Sequence, residues 1–269
     1  MSYHLFSMQP MKLHKSIISA LLVLLFLGVN LKLHAYNFSN ESLNYKVMYK
    51  WGLVHKQAGH ATLTLKKNGG EYNTILTAAS EKWADKFYKV RDTLTGVVTA
   101  SSFKPVIYQK ISNEGGERKH DVVKYSYSGK DVTGKCTRKK WDKKGTLKVN
   151  DSRTLSATGT TIDMLSSFYY MRALPYESWK SGHTTSVNLF SGKRKEILTI
   201  KYLGLTTLKL DDKEHRCYHI SFNFTDPSKP GKETSDSMEA WIAADARRIP
   251  LKLEGKLPVG KVHCLYIGG

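Results

Sequence analysis

Apolar and polar positions alternate with period two along most of the chain beyond residue 36. Leu43, Tyr45, Val47, Tyr49, Trp51 and Leu53 share one face of an extended segment, with Asn44, Lys46 and Lys50 on the other. Ala61, Leu63 and Leu65 alternate with His60, Thr62 and Thr64, and Tyr218, Ile220, Phe222 and Phe224 alternate with Cys217, His219, Ser221 and Asn223. Successive strand side chains point to opposite faces, so each run predicts an antiparallel strand with one covered and one wet face. Turn clusters separate the runs, among them Asn68-Gly69-Gly70, Glu114-Gly115-Gly116, Ser128-Gly129, Asp142-Lys143-Lys144-Gly145 and Asp211-Asp212. The spacing predicts a mostly β protein, built on a large antiparallel sheet that is half-closed and barrel-like or folded as a sandwich.

Two stretches depart from that pattern. Ile162, Leu165, Phe168 or Tyr169, and Met171 recur at helical spacing, Thr160 with Asp163 resembles a capping box, and Pro175 stops the run. These signals predict one packed α-helix over 161–174. Residues 80–90 predict a short helix or a bulged edge, and residues 225–237 a flexible loop. With no repeat and no long linker, residues 36–269 read as a single β-rich domain.

Residues 17–29, IISALLVLLFLGV, are uncharged and apolar, with Lys12 and Lys15 ahead of them. Thirteen helical residues rise roughly 20 Å, short of the roughly 30 Å of a bilayer's hydrocarbon core. A basic start, a short apolar run and the small residue Ala35 predict a signal peptide over 1–35, with Met11 as its start and cleavage near Ala35. The expected address is therefore the periplasm or cell envelope, and the mature chain carries no transmembrane span.

Charge sharpens that picture. The 269 residues hold 42 Lys+Arg against 23 Asp+Glu, a net charge of +19. Arg118 to Lys148 alone holds eleven basic residues against Asp121, Asp131 and Asp142. Lys135, Arg138, Lys139, Lys140, Lys143 and Lys144 form its densest part and are the candidates for contact with an anionic surface. Export turns the expected partner from nucleic acid to anionic lipid head groups or acidic glycans. A solvated, lysine-rich sheet face is the plainer reading of the same residues.

No GxSxG, HExxH, CxxC or GxGxxG motif occurs, so no catalytic residue and no cofactor is assigned. Gly255 to Val262 has P-loop spacing up to Lys261, but Val262 replaces the Mg²⁺-binding hydroxyl and a strand follows, so a hairpin turn is expected. His215, Cys217 and His219 project to one strand face and are the candidate metal ligands. The competing reading is an exposed polar strand face. Cys136, Cys217 and Cys264 allow at most one disulfide and are read as packed thiols.

Aromatic residues suggest a cavity. A helix across the mouth of a curled sheet would bring Tyr45, Tyr49, Trp51, Trp83, Phe168 and Tyr169 around a space suited to an acyl chain. The alternative is that these rings fill the core.

Four segments in order resemble an exported bacterial family known only as a domain of unknown function, DUF3108-like. They are LNYKVMYKWGLVHKQAGHATL, KFYKVRDTLTGVVTASSFKPVIYQK, TTIDMLSSFYYMRALPYESWKSG and EAWIAADARRIPLKLEGKLPVGKVHCLY. The resemblance implies a half-closed antiparallel β structure with a helix against it, similar to the open barrels that carry lipoprotein acyl chains. It brings no catalytic residues. The function expected is that of a non-catalytic binding or carrier protein for an amphiphilic or anionic envelope component. The alternatives are an envelope assembly factor and a metal-dependent hydrolase using the His215 row.

Overall fold

The computed structural model describes residues 38–229, 237–257 and 259–269. Residues 1–35, expected to form a signal peptide, lie outside them, as do residues 230–236 of the expected loop.

The alternating runs become strands of one sheet. β1 (Glu41–Trp51), β2 (Val54–Asn68), β3 (Glu71–Ser80), β4 (Val90–Thr99), β5 (Pro105–Glu114), β6 (Glu117–Ser128), β7 (Asp131–Trp141) and β8 (Leu147–Thr158) form an antiparallel meander. β9 (Thr161–Asp163) lies parallel to β10 (Thr184–Phe190). From there β11 (Lys195–Leu210), β12 (Lys213–Thr225), β13 (Met238–Ala243), β14 (Pro250–Lys256) and β15 (Lys261–Gly268) continue antiparallel. β15 then pairs with β1, from Asn44 opposite Gly268 to Lys50 opposite Lys261. The order across all 15 strands is β8-β7-β6-β5-β4-β3-β2-β1-β15-β14-β13-β12-β11-β10-β9. Lys256 opposite Lys261 makes the P-loop-like segment a hairpin.

β8 and β9 are the two edges of this sheet, yet only Gly159 and Thr160 separate them in the chain. A chain covers at most about 3.6 Å per residue, so the edges must meet and the sheet must curl into a nearly closed barrel. Side chains complete the seam. Asn188 Nδ2 donates to the carbonyls of Thr158 at 3.1 Å and Thr160 at 3.2 Å. Arg153 on β8 donates to Lys193 O at 3.0 Å in the β10–β11 turn.

Alternation of direction collects the connections 52–53, 81–89, 115–116, 142–146 and 257–260 at one end of the barrel. A single helical turn, α1 (Lys82–Asp85), lies in the second of these, and we call this the α1 end. The second helix, α2 (Ser166–Arg172), sits toward the other end. It is shorter than the 161–174 periodicity predicts. Residues 161–163 instead form β9, where Ile162 pairs opposite Leu189, because an edge with buried residues on both faces gains more from a ladder than from a helical turn. Asp163, rather than Thr160, starts the helix: its Oδ1 accepts from the backbone N–H of Leu165 at 2.8 Å and Ser166 at 2.7 Å.

Leu43, Leu63, Tyr72, Val98, Tyr108, Val123, Cys136, Tyr169, Phe190 and Leu251 belong to one core cluster, fed from both ends of the strand order. That is what curling requires. A second cluster packs Met171, Leu174 and Tyr176 against Leu198, Ile200, Tyr218 and Ile220.

Candidate functional site

The six aromatic residues expected around one cavity part company. Tyr45 and Tyr169 are fully buried, the Tyr45 ring meets Phe168 edge-on at 6.1 Å, and Tyr169 meets Phe38 and Phe103 at 5.3 and 5.7 Å. Tyr45 Oη donates to Pro250 O at 3.0 Å. These rings fill the core at the α2 end. Tyr49 is half-buried and donates to Val259 O at 3.1 Å, while Trp51, 58% exposed, has run out to the hairpin tip. Trp83 on α1 donates to Gln57 O at 2.6 Å, away from the other rings. Tyr45, Tyr49 and Trp51 keep one face of β1, whose pairing with β15 is regular from Tyr45 to Lys50, but that face runs from the packed core at Tyr45 to open solvent at Trp51.

The basic stretch divides by strand parity. On β7, Lys135 and Lys139 point outward, whereas Arg138 and Lys140 share the face of buried Val132 and Cys136. Arg138 reaches Asp121 at 3.5 Å and Lys140 reaches Glu117 at 3.0 Å. Lys143 and Lys144 are exposed in the β7–β8 turn at the α1 end. Neighbouring inward positions continue the charged layer, with Lys110 at 3.7 Å from Asp92 and 3.5 Å from Glu114, and Lys119 at 3.3 Å from Glu114. Burial and the neighbouring Glu114 raise the Asp92 carboxyl to about 6.

His215, Cys217 and His219 do share a face of β12, but they do not converge on a point. Cys217 is fully buried in the core, where desolvation raises its thiol to about 11. His219 stacks on Trp241 at 4.4 Å and hydrogen-bonds Glu239 Oε2 at 2.7 Å. Among the described residues no three His, Cys, Asp or Glu side chains are grouped to hold a metal ion. All three cysteines are free thiols.

A site not anticipated from the sequence lies at the α2 end. Tyr176, Trp179, Tyr202, Tyr218, Arg216 and Glu177, with Leu205 and Ala244, line an open cleft of about 310 Å³. Pro175 ends the helical run and a 3₁₀ turn, Tyr176–Ser178, folds the chain back over β11 and β12. Tyr176 stacks on Tyr218 at 5.0 Å, lies edge-on to Trp179 at 5.3 Å and reaches Tyr202 at 5.6 Å. Beneath them, Arg248 is ion-paired with Glu177 and lies 5.3 Å from the Tyr218 ring, while Tyr218 Oη donates to Glu177 at 2.9 Å. Burial works against ionisation of Glu177, but Arg248 and Tyr218 together hold its carboxyl below the ordinary value. Burial, then the bond to Glu177, pushes the Tyr218 hydroxyl up to about 12. Glu177 is therefore committed to structure, and Arg216 is the exposed charge left on the wall.

The sequence pattern of a family described as a protein of unknown function, DUF3108, matches residues 44–264. The chain belongs to the DUF3108 family. Its fold is similar to a solved structure, the β-barrel-like protein of the domain of unknown function DUF1849 from Brucella abortus. The two share 10% identity at a TM-score of 0.59, over 87% of this chain and 98% of that one, a likeness of fold alone. No curated protein matches the chain. In this DUF3108 protein no described helix is long and apolar enough to cross a membrane. The cleft had no local signal, because its rings come from residues 176 to 218 on three separate elements.

Proposed function

We propose that this DUF3108 protein is an exported, non-catalytic binding protein, processed near Ala35, whose cleft takes the anionic ring or head group of an amphiphilic or glycan component of the cell envelope. The observation that carries the reading is the joining of four aromatic rings with Arg216 in one open cleft. Ring faces attract sugar and other ring-shaped groups, and a guanidinium selects those bearing carboxylate or phosphate. At about 310 Å³ the cleft is at the lower limit of ligand pockets, so it fits one ring or head group and leaves any acyl chain outside. The lumen rings Tyr45, Phe168 and Tyr169 are packed on one another and take no ligand in this reading.

Titration with a short-chain phosphatidylglycerol and with an acidic tetrasaccharide, followed by calorimetry, tests the cleft. Saturable binding to one of them is expected, lost in Trp179→Ala and weakened about tenfold in Arg216→Gln, as for a charge-assisted hydrogen bond. No saturable binding to either, or binding indifferent to both substitutions, would remove the cleft from the function.

A further inference from the structure

Exposed apolar side chains are distributed unevenly over this barrel. Among the described residues twelve large hydrophobic side chains are exposed, and eight of them lie on or beside the connections at the α1 end. Trp51, Leu53, Phe87, Tyr88, Leu257 and Val259 are the most prominent, with Phe87 at 83% exposure and Leu53 fully in water at its turn. Soluble surfaces tolerate single exposed residues, but such a concentration marks an interaction site.

The connections are fastened into one rim. Tyr49 Oη donates to Val259 O at 3.1 Å, tying the β14–β15 turn to β1. Gly260 adopts φ +80°, and a Cβ there would collide with the Lys50 carbonyl and sit 3.1 Å from Trp51 Cβ, so only glycine allows the approach. Glu81 N donates to Ala58 O at 2.7 Å, and Trp83 lies 6.3 Å edge-on from Phe87. Tyr88 in turn covers Gly115 of the β5–β6 turn.

Lysines surround these apolar tips. Lys50, Lys56, Lys82, Lys86, Lys89 and Lys256 are all exposed at this end, and none of them forms an ion pair, whereas Asp85 and Glu81 are engaged by Arg91 and His60. Protein interfaces deplete lysine at their centres. Apolar and aromatic tips ringed by unpaired lysines match the headgroup region of an anionic bilayer, where rings sit at the water boundary and ammonium groups meet lipid phosphates. We infer that the α1 end is a membrane-docking face that inserts Trp51, Leu53 and Phe87 into the headgroup layer of an anionic phospholipid bilayer. The aromatic cleft, beside Ala244 past the far end of β13, then faces away from the membrane. This inference stands apart from the cleft reading and survives its failure.

Co-sedimentation of the protein as isolated from its host, with vesicles of phosphatidylcholine alone or containing a quarter phosphatidylglycerol, tests the inference. Binding is expected to the anionic vesicles only, to weaken about tenfold between ~0.05 and ~0.5 M salt, and to bring a blue shift in tryptophan emission. Leu53→Ser with Phe87→Ser should lower partitioning at least tenfold with little change in melting, since Leu53 is fully in water and Phe87 meets the Trp83 ring only edge-on, and Trp51→Phe should remove most of the blue shift. Ile75→Ser with Ile267→Ser, exposed away from both the α1 end and the cleft, should change nothing. All variants share one N-terminus, so any contribution from the apolar leader cancels. Equal binding by wild type and the Leu53/Phe87 pair, a blue shift that persists in Trp51→Phe, or failure of wild type to bind anionic vesicles would each overturn the assignment. So would self-association that the Leu53/Phe87 pair abolishes without any vesicle binding.

Discussion

Arg172 on α2 and Glu41 on β1 form a two-pronged ion pair in which both side chains are buried, 131 residues apart in sequence. The same guanidinium donates to the carbonyls of Arg247 at 2.8 Å and Arg248 at 3.1 Å and lies 4.7 Å from the Phe38 ring. It thus joins the helix, the first strand and the β13–β14 connection. Removing one partner leaves a charge stranded in the core. Arg172→Met is expected to destabilise by about 3–5 kcal/mol, and Arg172→Met with Glu41→Leu to recover much of that loss, read by urea unfolding. Equal stability of the single and double variants would show that the pair is not coupled.

Asp163 gives stability a pH dependence. Its Oδ1 caps α2, but its Oδ2 is buried without a hydrogen-bond partner, and desolvation lifts the carboxyl from 3.8 to about 6 against the pull of the Ser166 and Leu165 bonds. The folded value lies above the unfolded one, so the contribution to stability is full below about pH 4 and is lost as pH rises through 6. Asp163→Asn keeps a capping oxygen and puts an amide where the lone carboxylate oxygen was. The variant is expected to flatten the decline in unfolding free energy between pH 5 and 7.5 by on the order of 1 kcal/mol. Parallel pH profiles for wild type and variant would exclude this carboxyl as a source.

Near the seam, Phe190 of β10 stacks on Tyr125 of β6 at 5.7 Å and occupies the space above Gly134 of β7. A Cβ on residue 134 would stand 2.6 Å from the Phe190 ring. Gly134→Ala is expected to cost about 1–3 kcal/mol by overpacking, and Phe190→Ala about 3–5 kcal/mol by leaving a cavity. Hydrogen exchange should localise both effects to β6, β7 and β10. Uniform loss of protection across the sheet would contradict a local wedge.

How far the sequence could be read follows from what its patterns encode. Period two located the strands, because half-buried strands carry that signal in every residue. It could not show that β2 carries an extra residue at Ala58 opposite β1, or that Trp51 lies beyond the covered part of its strand, since burial along a strand depends on what packs above it. Parity was available for the basic stretch, and applied strand by strand it would have separated Lys135 and Lys139 from Arg138 and Lys140. Counting charges along the chain obscured it. Helical spacing over 161–174 was sound for α2, but the edge ladder of β9 claimed the first three residues. The cleft rings and the seam contacts of Asn188 and Arg153 join remote elements, and no local pattern announces them.

The place of β15 between β1 and β14 has a consequence for assembly. β1 to β8 can zip up hairpin by hairpin, and so can β10 to β14, because each strand finds its partner beside it in the chain. Among the described strands β15 alone forms backbone ladders with both halves, and its pairing with β1 runs from Asn44 opposite Gly268 to Lys50 opposite Lys261. Without β15 the sheet would have open edges at β1 and β14, and joining them closes a loop of more than 200 residues, the kind of non-local pairing that is expected to be slow. In a chain that folds in this order, both edges stay open until the eight residues of β15 pair, so that one short strand decides when the barrel closes.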